Sequence, residues 1–157
     1  MTADGGPHQR LAALGLALPS VAAPAGAYIP AVRTGSLVFT SGQLPMVAGE
    51  LGLRGKVGGD VSPDQAEQLA QVCALNALAA VDALVDLDSV RRIVKVTGFV
   101  ASTPDFVGQP GVVNGASELL LEVFGERGRH ARSAVGVAAL PLDSPVEIEV
   151  VVEVADS

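Results

Sequence analysis

A regular alternation of apolar and acidic positions marks the end of the chain. Residues 146–154 read VEIEVVVEV, with Val or Ile at every second position and Glu at three of the four positions between them. Because successive side chains of a strand point to opposite faces, this period of two predicts a strand with one buried face. Further strands are predicted at 37–41, 91–101 and 132–140, where β-branched, aromatic or small apolar residues predominate.

The longest helical pattern has clear capping residues. Ser62 is a suitable N-cap, Pro63 fits the first helical position, and Gln65 completes a capping box. Together with the apolar periodicity that follows, these residues predict a helix over 63–86. A second helix is predicted over 112–124.

The N-terminal stretch RLAALGLALPSVAAPAGA has two interpretations. Its apolar run and small residues resemble a signal peptide, but Asp4 lies in the region that should be basic. The alternative is a short amphipathic helix in which Leu11 and Leu14 share a face. Gly15 would then take the left-handed C′ position, and Leu16 would close back on Leu11. We favour the helix, and with it a cytoplasmic protein.

The order of elements is strands, helix, strand, helix, strands. This order predicts an α+β fold with a single sheet and two helices packed on one face. A chain of 157 residues fits one domain, so 1–157 is treated as a single domain with 1–24 as an N-terminal extension that carries the short helix. The second face of the sheet is mixed rather than polar, which predicts self-association.

Composition and charge exclude several classes of function. The net charge is −7 and aromatic residues make up 3% of the chain, so nucleic acid is not expected as a partner. No uninterrupted apolar run approaches the roughly 18 residues of a membrane span, and no membrane partner is expected. The single cysteine, Cys73, rules out an internal disulfide and suits a small buried position on a helix.

Three cations crowd together in RHARSAVGVAALP, residues 129–141. Arg132 begins a predicted strand and shares its face with three small residues, Ala134, Gly136 and Ala138. We interpret these small residues as an open floor, that is, a strand surface that leaves space for a ligand beside the guanidinium. The planar guanidinium could then bind a carboxylate through two hydrogen bonds. The alternative is a strand-end arginine paired with a surface carboxylate. Arg129 and His130 are interpreted as solvated loop residues.

Glu147 and Glu149 lie on one face of the last predicted strand. Such a row is typical of a solvated surface, whereas a carboxylate in a partly buried site could act as a general base toward water. The pattern does not decide between the two residues. No spacing of His, Cys or Asp suggests a metal site, and no glycine-rich phosphate loop joins a strand to a helix. We therefore expect chemistry without a metal or a cofactor.

Three motifs stand in the order and spacing of the YjgF/RidA family, which includes proteins named L-PSP endoribonucleases. They are LVFTSGQLP at 37–45, ARSAVGVAALP at 131–141 and VEIEV at 146–150. The resemblance extends from about Ala25 to Val154. It implies a chorismate-mutase-like α+β fold and a homotrimer with three ligand clefts between neighbouring subunits. It also implies hydrolysis of enamines and imines, in which 2-aminoacrylate and similar 2-imino acids become 2-keto acids and ammonia.

The resemblance implies roles for particular residues. Arg132 would hold the carboxylate of the substrate, and Glu147 would position or activate the attacking water. Four further residues would contact the ligand in the cleft: Tyr28, Ser41, Gly42 and Asn114. The implied partners are a small carboxylate ligand and further copies of the chain.

Several positions depart from the RidA pattern. Ala134 stands where that branch usually has Cys, and Ala27 stands where it often has Pro. The N-terminal helix and the segment 107–117 are longer than in compact members, and either could cover the cleft. Two functions therefore stay open: a deaminase of 2-imino acids, or a non-catalytic protein that binds a small carboxylate, such as a 2-keto acid, in the same cleft.

Overall fold

The computed structural model describes residues 5–21, 23–24 and 26–156. Residues 1–4 and Ala22 of the predicted extension lie outside the described residues, as do Ala25 and Ser157. The elements follow in chain order: α1 (Pro7–Ala13), β1 (Ala31–Thr34), β2 (Leu37–Thr40), β3 (Met46–Val47), β4 (Glu50–Leu51), α2 (Pro63–Val85), β5 (Val90–Ala101), α3 (Gln109–Phe124), β6 (Ala131–Val137) and β7 (Val146–Val154).

Strand β7 lies at the centre of the main sheet. The strand order is β1-β2-β7-β5-β6, and β3 and β4 form a separate hairpin. β7 pairs antiparallel with β2 and with β5, while β6 pairs parallel with β5. The predicted alternation of β7 is confirmed, since five alternate residues are buried and those between them are half-buried. The buried ones are Val146, Ile148, Val150, Val152 and Val154.

The two long helices cover one face of this sheet, so the α+β prediction is confirmed. α2 packs on β7, and α3 packs on β5, β6 and α2. Helix α3 can lie close to β5 because Gly98 of β5 faces Val113 of α3. A Cβ at this position would collide with the valine side chain. Gly98 pairs with Ile148 of β7, so the buried side chains of β7 point to this helix-covered face.

The other face of the sheet carries no helix within the described part of the chain. Glu147 and Glu149 of β7 point to it beside apolar neighbours. Phe39 and Val135 are 43% and 42% exposed on the same face. This mixture of acidic and apolar groups agrees with the sequence analysis, and it leaves apolar surface that another molecule could cover.

Helix α2 begins with the predicted capping box. Ser62 Oγ accepts from the Gln65 N–H at 3.1 Å, and Gln65 Oε1 accepts from the Ser62 N–H at 3.0 Å. The helix ends at Val85, one residue before the predicted end. It is long and apolar enough to cross a membrane by length and composition, but its buried residues pack against β7 and α3 as those of a core helix.

The short N-terminal helix is present and docks on α3. Leu11 is 2% exposed. The N–H groups of Gly15 and Leu16 donate to the carbonyl oxygens of Ala12 and Leu11 at 3.0 and 2.9 Å, and Gly15 has a φ of +72°. This is the predicted glycine-stabilised helix end. Leu14 is exposed instead of sharing the buried face, because it follows the last helical residue.

One strand is not predicted, and two boundaries differ from the predictions by more than one residue. The sequence pattern does not indicate β1, because the strand is short and follows a proline-rich stretch. Pairing with β2 holds it in the sheet. α3 begins at Gln109 rather than at 112, because Pro110 fits the first helical turn, where an N–H has no partner in the helix. β6 ends at Val137 rather than at 140, since the chain turns through Pro141–Asp143.

Candidate active site

Arg132 is held by side chains and backbone of α3. Its Nη1 donates to Asn114 Oδ1 at 2.7 Å and to Ser117 Oγ at 3.3 Å, and its Nη2 donates to the Pro110 carbonyl oxygen at 3.4 Å. Asn114 and Ser117 are three residues apart, so they project from the same side of the helix. Neutral acceptors therefore orient the guanidinium, and no described carboxylate forms a salt bridge with it.

One edge of the Arg132 guanidinium stays available for a ligand. Nη1 has a described acceptor for each of its two N–H groups, and Nη2 has one long contact. The Nε–H and the neighbouring Nη2 share the other edge, at which a carboxylate accepts two parallel hydrogen bonds. This geometry suits the carboxylate anchor that the sequence predicts.

His130 belongs to the same cluster, so its interpretation as a solvated loop residue is wrong. Nδ1 lies 2.6 Å from the Gly128 carbonyl oxygen, and Nε2 lies 2.8 Å from Ser117 Oγ. A carbonyl oxygen only accepts, so Nδ1 carries the hydrogen, and in the neutral ring Nε2 accepts from the Ser117 hydroxyl. The hydrogen bonds then run in one direction, from Arg132 through Ser117 and His130 to Gly128. Arg129, by contrast, is exposed as predicted.

The expected open floor beside Arg132 is covered by α3. Arg132 and Ala134 lie on the helix-covered face, as their pairing with buried residues of β5 requires. Ala134 packs against the core, and a Cβ on Gly136 would meet the Gln109 side chain of α3. These two small residues therefore make room for the helix, whereas Ala138 lies beyond the end of β6 and is exposed. The open space beside Arg132 lies instead in a cavity of about 890 Å³ that Ser117 and His130 also line. Val135, on the other face, is exposed.

Glu147 lies on the open face of the sheet, with its carboxylate against Gly42. A Cβ on Gly42 would collide with that carboxylate, so glycine is the residue that leaves room for it. Burial raises the pKa of the Glu147 carboxyl above its ordinary value, and the neighbouring Glu149 raises it further. The contact with Gly42 distinguishes Glu147 from Glu149, a choice that the sequence leaves open.

Ser41 and Tyr28 take different positions around this group. Ser41 Oγ donates to the Ile29 carbonyl oxygen at 2.6 Å, and the Ser41 N–H donates to the Pro30 carbonyl oxygen at 2.8 Å. The hydroxyl of Ser41 thus holds the segment before β1, and only its lone pairs are left for a ligand. Tyr28 is 50% exposed and lines the same pocket as Gly42.

Within one chain, the predicted site residues form two separate groups. Arg132 and Asn114 lie on the helix-covered side, and Glu147 lies on the open side. In the register of β5, Arg132 is level with Val96 and Glu147 is level with Phe99, three residues further along, so the two side chains point to opposite faces. Two strand spacings of about 4.8 Å also separate their backbones.

Two other groups of reactive side chains have structural explanations. Burial, and then the charge of Glu147, raise the pKa of the Cys73 thiol well above its ordinary value, so it behaves as the small buried residue that the sequence predicts. On the exposed surface, atoms that could ligate a metal ion lie within 4.8 Å of one another in His8, Asp86 and Asp88. His8 Nε2 is already 2.8 Å from Asp82 Oδ1, so this cluster links α1 to the end of α2.

Ser117 and His130 belong to the site although the sequence pattern does not predict them there. The three-residue spacing of Ser117 from Asn114 is a signal present in the sequence, because it places both on one side of a helix. No local pattern identifies His130, since its partner comes from a different element. Its place depends on the turn that joins α3 to β6.

Known proteins match this chain over nearly its whole length. The "YjgF/chorismate_mutase-like" family matches residues 8–154. Protein TCP17 of Trypanosoma cruzi is 43% identical over 157 residues, which cover 98% of this chain and 97% of that protein. The 2-iminobutanoate/2-iminopropanoate deaminase of Salmonella typhimurium is 35% identical over 138 residues, which cover 87% of this chain and 94% of that protein.

Solved structures share the fold. Protein Atu1372 of Agrobacterium tumefaciens, of unknown function, superposes with a TM-score of 0.88 at 46% identity and covers 95% of this chain and 92% of its own. E. coli TdcF with bound serine superposes with a TM-score of 0.60 at 28% identity and covers 88% of this chain and 96% of its own.

The sheet, the two covering helices and these matches define a chorismate-mutase-like α+β protein. The chain belongs to the YjgF/RidA family, and the prediction from its three motifs is confirmed.

Replacing Gly42 by Ala is expected to displace the Glu147 carboxylate, because the added methyl group would occupy its position. The carboxylate then moves toward water, and the pKa of Glu147 falls toward its ordinary value as burial is relieved. An NMR titration of the Glu147 carboxyl carbon measures this change. Gly52→Ala is the control, since a Cβ there meets nothing within 4 Å. An unchanged titration of Glu147 in Gly42→Ala would contradict the contact.

Proposed function

We propose that the protein hydrolyses reactive 2-imino acids of the 2-aminoacrylate type to 2-keto acids and ammonia. The observation that carries the proposal is the Arg132 guanidinium, which Asn114 and Ser117 orient while its Nε edge stays available for a carboxylate. The S. typhimurium relative is named for such a reaction. TdcF binds serine, whose carboxylate is adjacent to a nitrogen-bearing carbon as in a 2-imino acid.

In this proposal, the reaction cleft contains residues of two copies of the chain. Because one chain directs Arg132 and Glu147 to opposite faces of its sheet, Arg132 of one copy meets Glu147 of the next. A closed homotrimer forms three such clefts. Phe39 and Val135 on the open face offer apolar surface for this contact.

The reaction needs an anchor, a base and water. Arg132 binds the carboxylate of the substrate. Glu147 takes a proton from water as the water oxygen bonds to the imine carbon, and the C=N electron pair moves to nitrogen. Glu147 then returns the proton to nitrogen, which gives a carbinolamine. It next takes the proton of the new hydroxyl group and delivers it to the amine nitrogen, so the C–N bond breaks as the carbonyl forms and ammonia leaves. The pKa of Glu147 is raised toward neutral pH, where a carboxyl both accepts and donates protons efficiently. The proposal includes no cofactor, and it places the reaction in the cytoplasm.

A non-catalytic protein that binds small carboxylates is the second candidate function. The cluster that holds Arg132 is complete within one chain, whereas Glu147 has to come from another copy. Binding of a 2-keto acid therefore requires fewer of the site residues than turnover does. Turnover distinguishes the two candidates.

Arg132→Ala should abolish most of the activity. With imines generated in situ by an amino-acid oxidase, wild-type protein should accelerate ammonia release, and Arg132→Ala should lower kcat/KM by at least about 30-fold, as expected for loss of a charged hydrogen-bonded anchor. Arg91→Ala is the matched control, because Arg91 is exposed at the start of β5, away from the described site residues, and it should keep wild-type activity. If wild-type protein accelerates no imine but binds 2-keto acids through Arg132, the second candidate is correct.

A mixture of two inactive variants should regain activity. In a cyclic trimer assembled from equal amounts of Arg132→Ala and Glu147→Gln chains, about a quarter of the clefts receive an intact arginine and an intact glutamate. Refolding the variants together should therefore restore about a quarter of wild-type turnover, which the ammonia assay measures. Each variant refolded alone is the control. A mixture as inactive as its components would show that the two residues do not act across subunits.

The pH profile should show the ionisation of Glu147. Because its pKa is raised above the ordinary value of 4.5, kcat/KM should fall toward acid pH with an inflection above that value. Protonation removes the base, so activity is present above the raised pKa and lost below it. The residual activity of Glu147→Gln, measured at high protein concentration, should lack this inflection. Glu149→Gln should keep it and move it to lower pH, because one of the causes of the shift is gone. Identical profiles for wild type and Glu147→Gln would exclude Glu147 as the base.

A further inference from the structure

A pocket of about 620 Å³ lies beside the proposed reaction site. One wall is formed by the segment after α1, and the opposite walls are formed by the loop after β2 and by Leu142. The described residues that this N-terminal segment contributes to the lining are Pro19, Ser20, Val21, Ala23 and Pro24. The extension therefore forms part of a binding surface.

The lining of the pocket is apolar in character. No charged residue lines it among those that the structure describes, and its walls include Leu44, Met46 and Leu142. Its two side-chain amides are already bonded: Asn76 Nδ2 donates to the carbonyl oxygens of Leu44 and Met46, both at 3.0 Å, and Gln43 Nε2 donates to a backbone carbonyl oxygen at 3.2 Å. Few polar groups are left for a ligand, so the pocket suits an apolar group.

The pocket meets the proposed site at Gly42. Gly42 and Tyr28 line it, and the Glu147 carboxylate lies against Gly42. A 2-imino acid whose reacting carbon faces Glu147 is therefore next to the pocket. Its carboxylate points to Arg132 of the neighbouring copy, so its side chain is the group that can enter the pocket.

We propose that this pocket receives the substrate side chain and that the protein acts on 2-imino acids with larger apolar side chains, such as those derived from leucine, methionine or phenylalanine. This inference rests on the proposed function. A methyl group would leave most of a 620 Å³ pocket unfilled. Each methylene that a hydrophobic pocket takes up changes kcat/KM roughly 10-fold or more.

The first test compares imines made from leucine and from alanine by the oxidase, with ammonia release as the readout. Wild-type protein should favour the leucine-derived imine by at least about 10-fold in kcat/KM. Equal rates, or a preference for the alanine-derived imine, would overturn the proposal.

A variant of the pocket wall makes the test specific. Leu142→Asn places a polar group in the lining at a residue with φ +59°, a conformation that Asn adopts readily. It should lower kcat/KM for the leucine-derived imine about 10-fold and change that of the alanine-derived imine by less than about twofold. Leu84→Asn is the matched control, because Leu84 is 46% exposed on α2 and does not line the pocket. Equal losses for both imines in Leu142→Asn would overturn the proposal.

A binding measurement separates failure of the pocket from failure of the reaction. Calorimetry compares 4-methyl-2-oxopentanoate with pyruvate, which carry the two side chains without requiring turnover. Tighter binding of 4-methyl-2-oxopentanoate that Leu142→Asn removes supports the pocket even if no imine is hydrolysed. Equal affinities, or tighter binding of pyruvate, would refute the pocket whether or not the protein is a deaminase.

Discussion

The alternation of side chains across the sheet is the constraint on which the candidate site depends. β7 buries every second residue under the helices, so Glu147 has to point to the open face. The register of β5 and β6 sends Arg132 the other way, toward α3. A shift of β7 by one residue would bury Glu147 and expose the apolar residues of that strand. The fold that stabilises the core therefore divides the reactive groups between two faces, and the proposed second copy would cover the open one.

The cluster around Arg132 shows how a cation can be oriented without being neutralised. Asn114 and Ser117 accept its hydrogen bonds, and His130 fixes the Ser117 hydroxyl by accepting from it. All three partners are uncharged when the imidazole is neutral, so the positive charge stays available to an anionic ligand. An internal carboxylate at the same position would compete with that ligand. These partners differ from the surface carboxylate of the alternative interpretation, a strand-end salt bridge, and they support the proposed role of Arg132 as an anchor.

Periodicity predicts the elements of this fold well, because burial of one strand face or one helix stripe is a local property of the sequence. β7, α2 and the glycine-stabilised end of α1 are confirmed for that reason. Whether a row of small residues makes room for a ligand or for a helix depends on what packs above it, which only the tertiary structure determines. The floor beside Arg132 and the placement of His130 could not be predicted because their partners come from α3. The three motifs identify the family, but not the pocket that the extension encloses.

Gly42 connects the apolar pocket to Glu147, the proposed base. The pKa of Glu147 is raised first by burial, and its carboxylate rests on Gly42, which also lines the apolar pocket. Under the proposed function, an apolar substrate side chain in the pocket would lie close to Glu147 and add to that burial. The apolar side chain of a large substrate would then contribute to binding and also raise the pKa of Glu147. This would bring that pKa closer to the pH at which the carboxyl can both take up and release protons. A small substrate would add less to this burial, so under the proposed function the N-terminal segment, which lines the pocket, couples side-chain recognition to the pKa of Glu147.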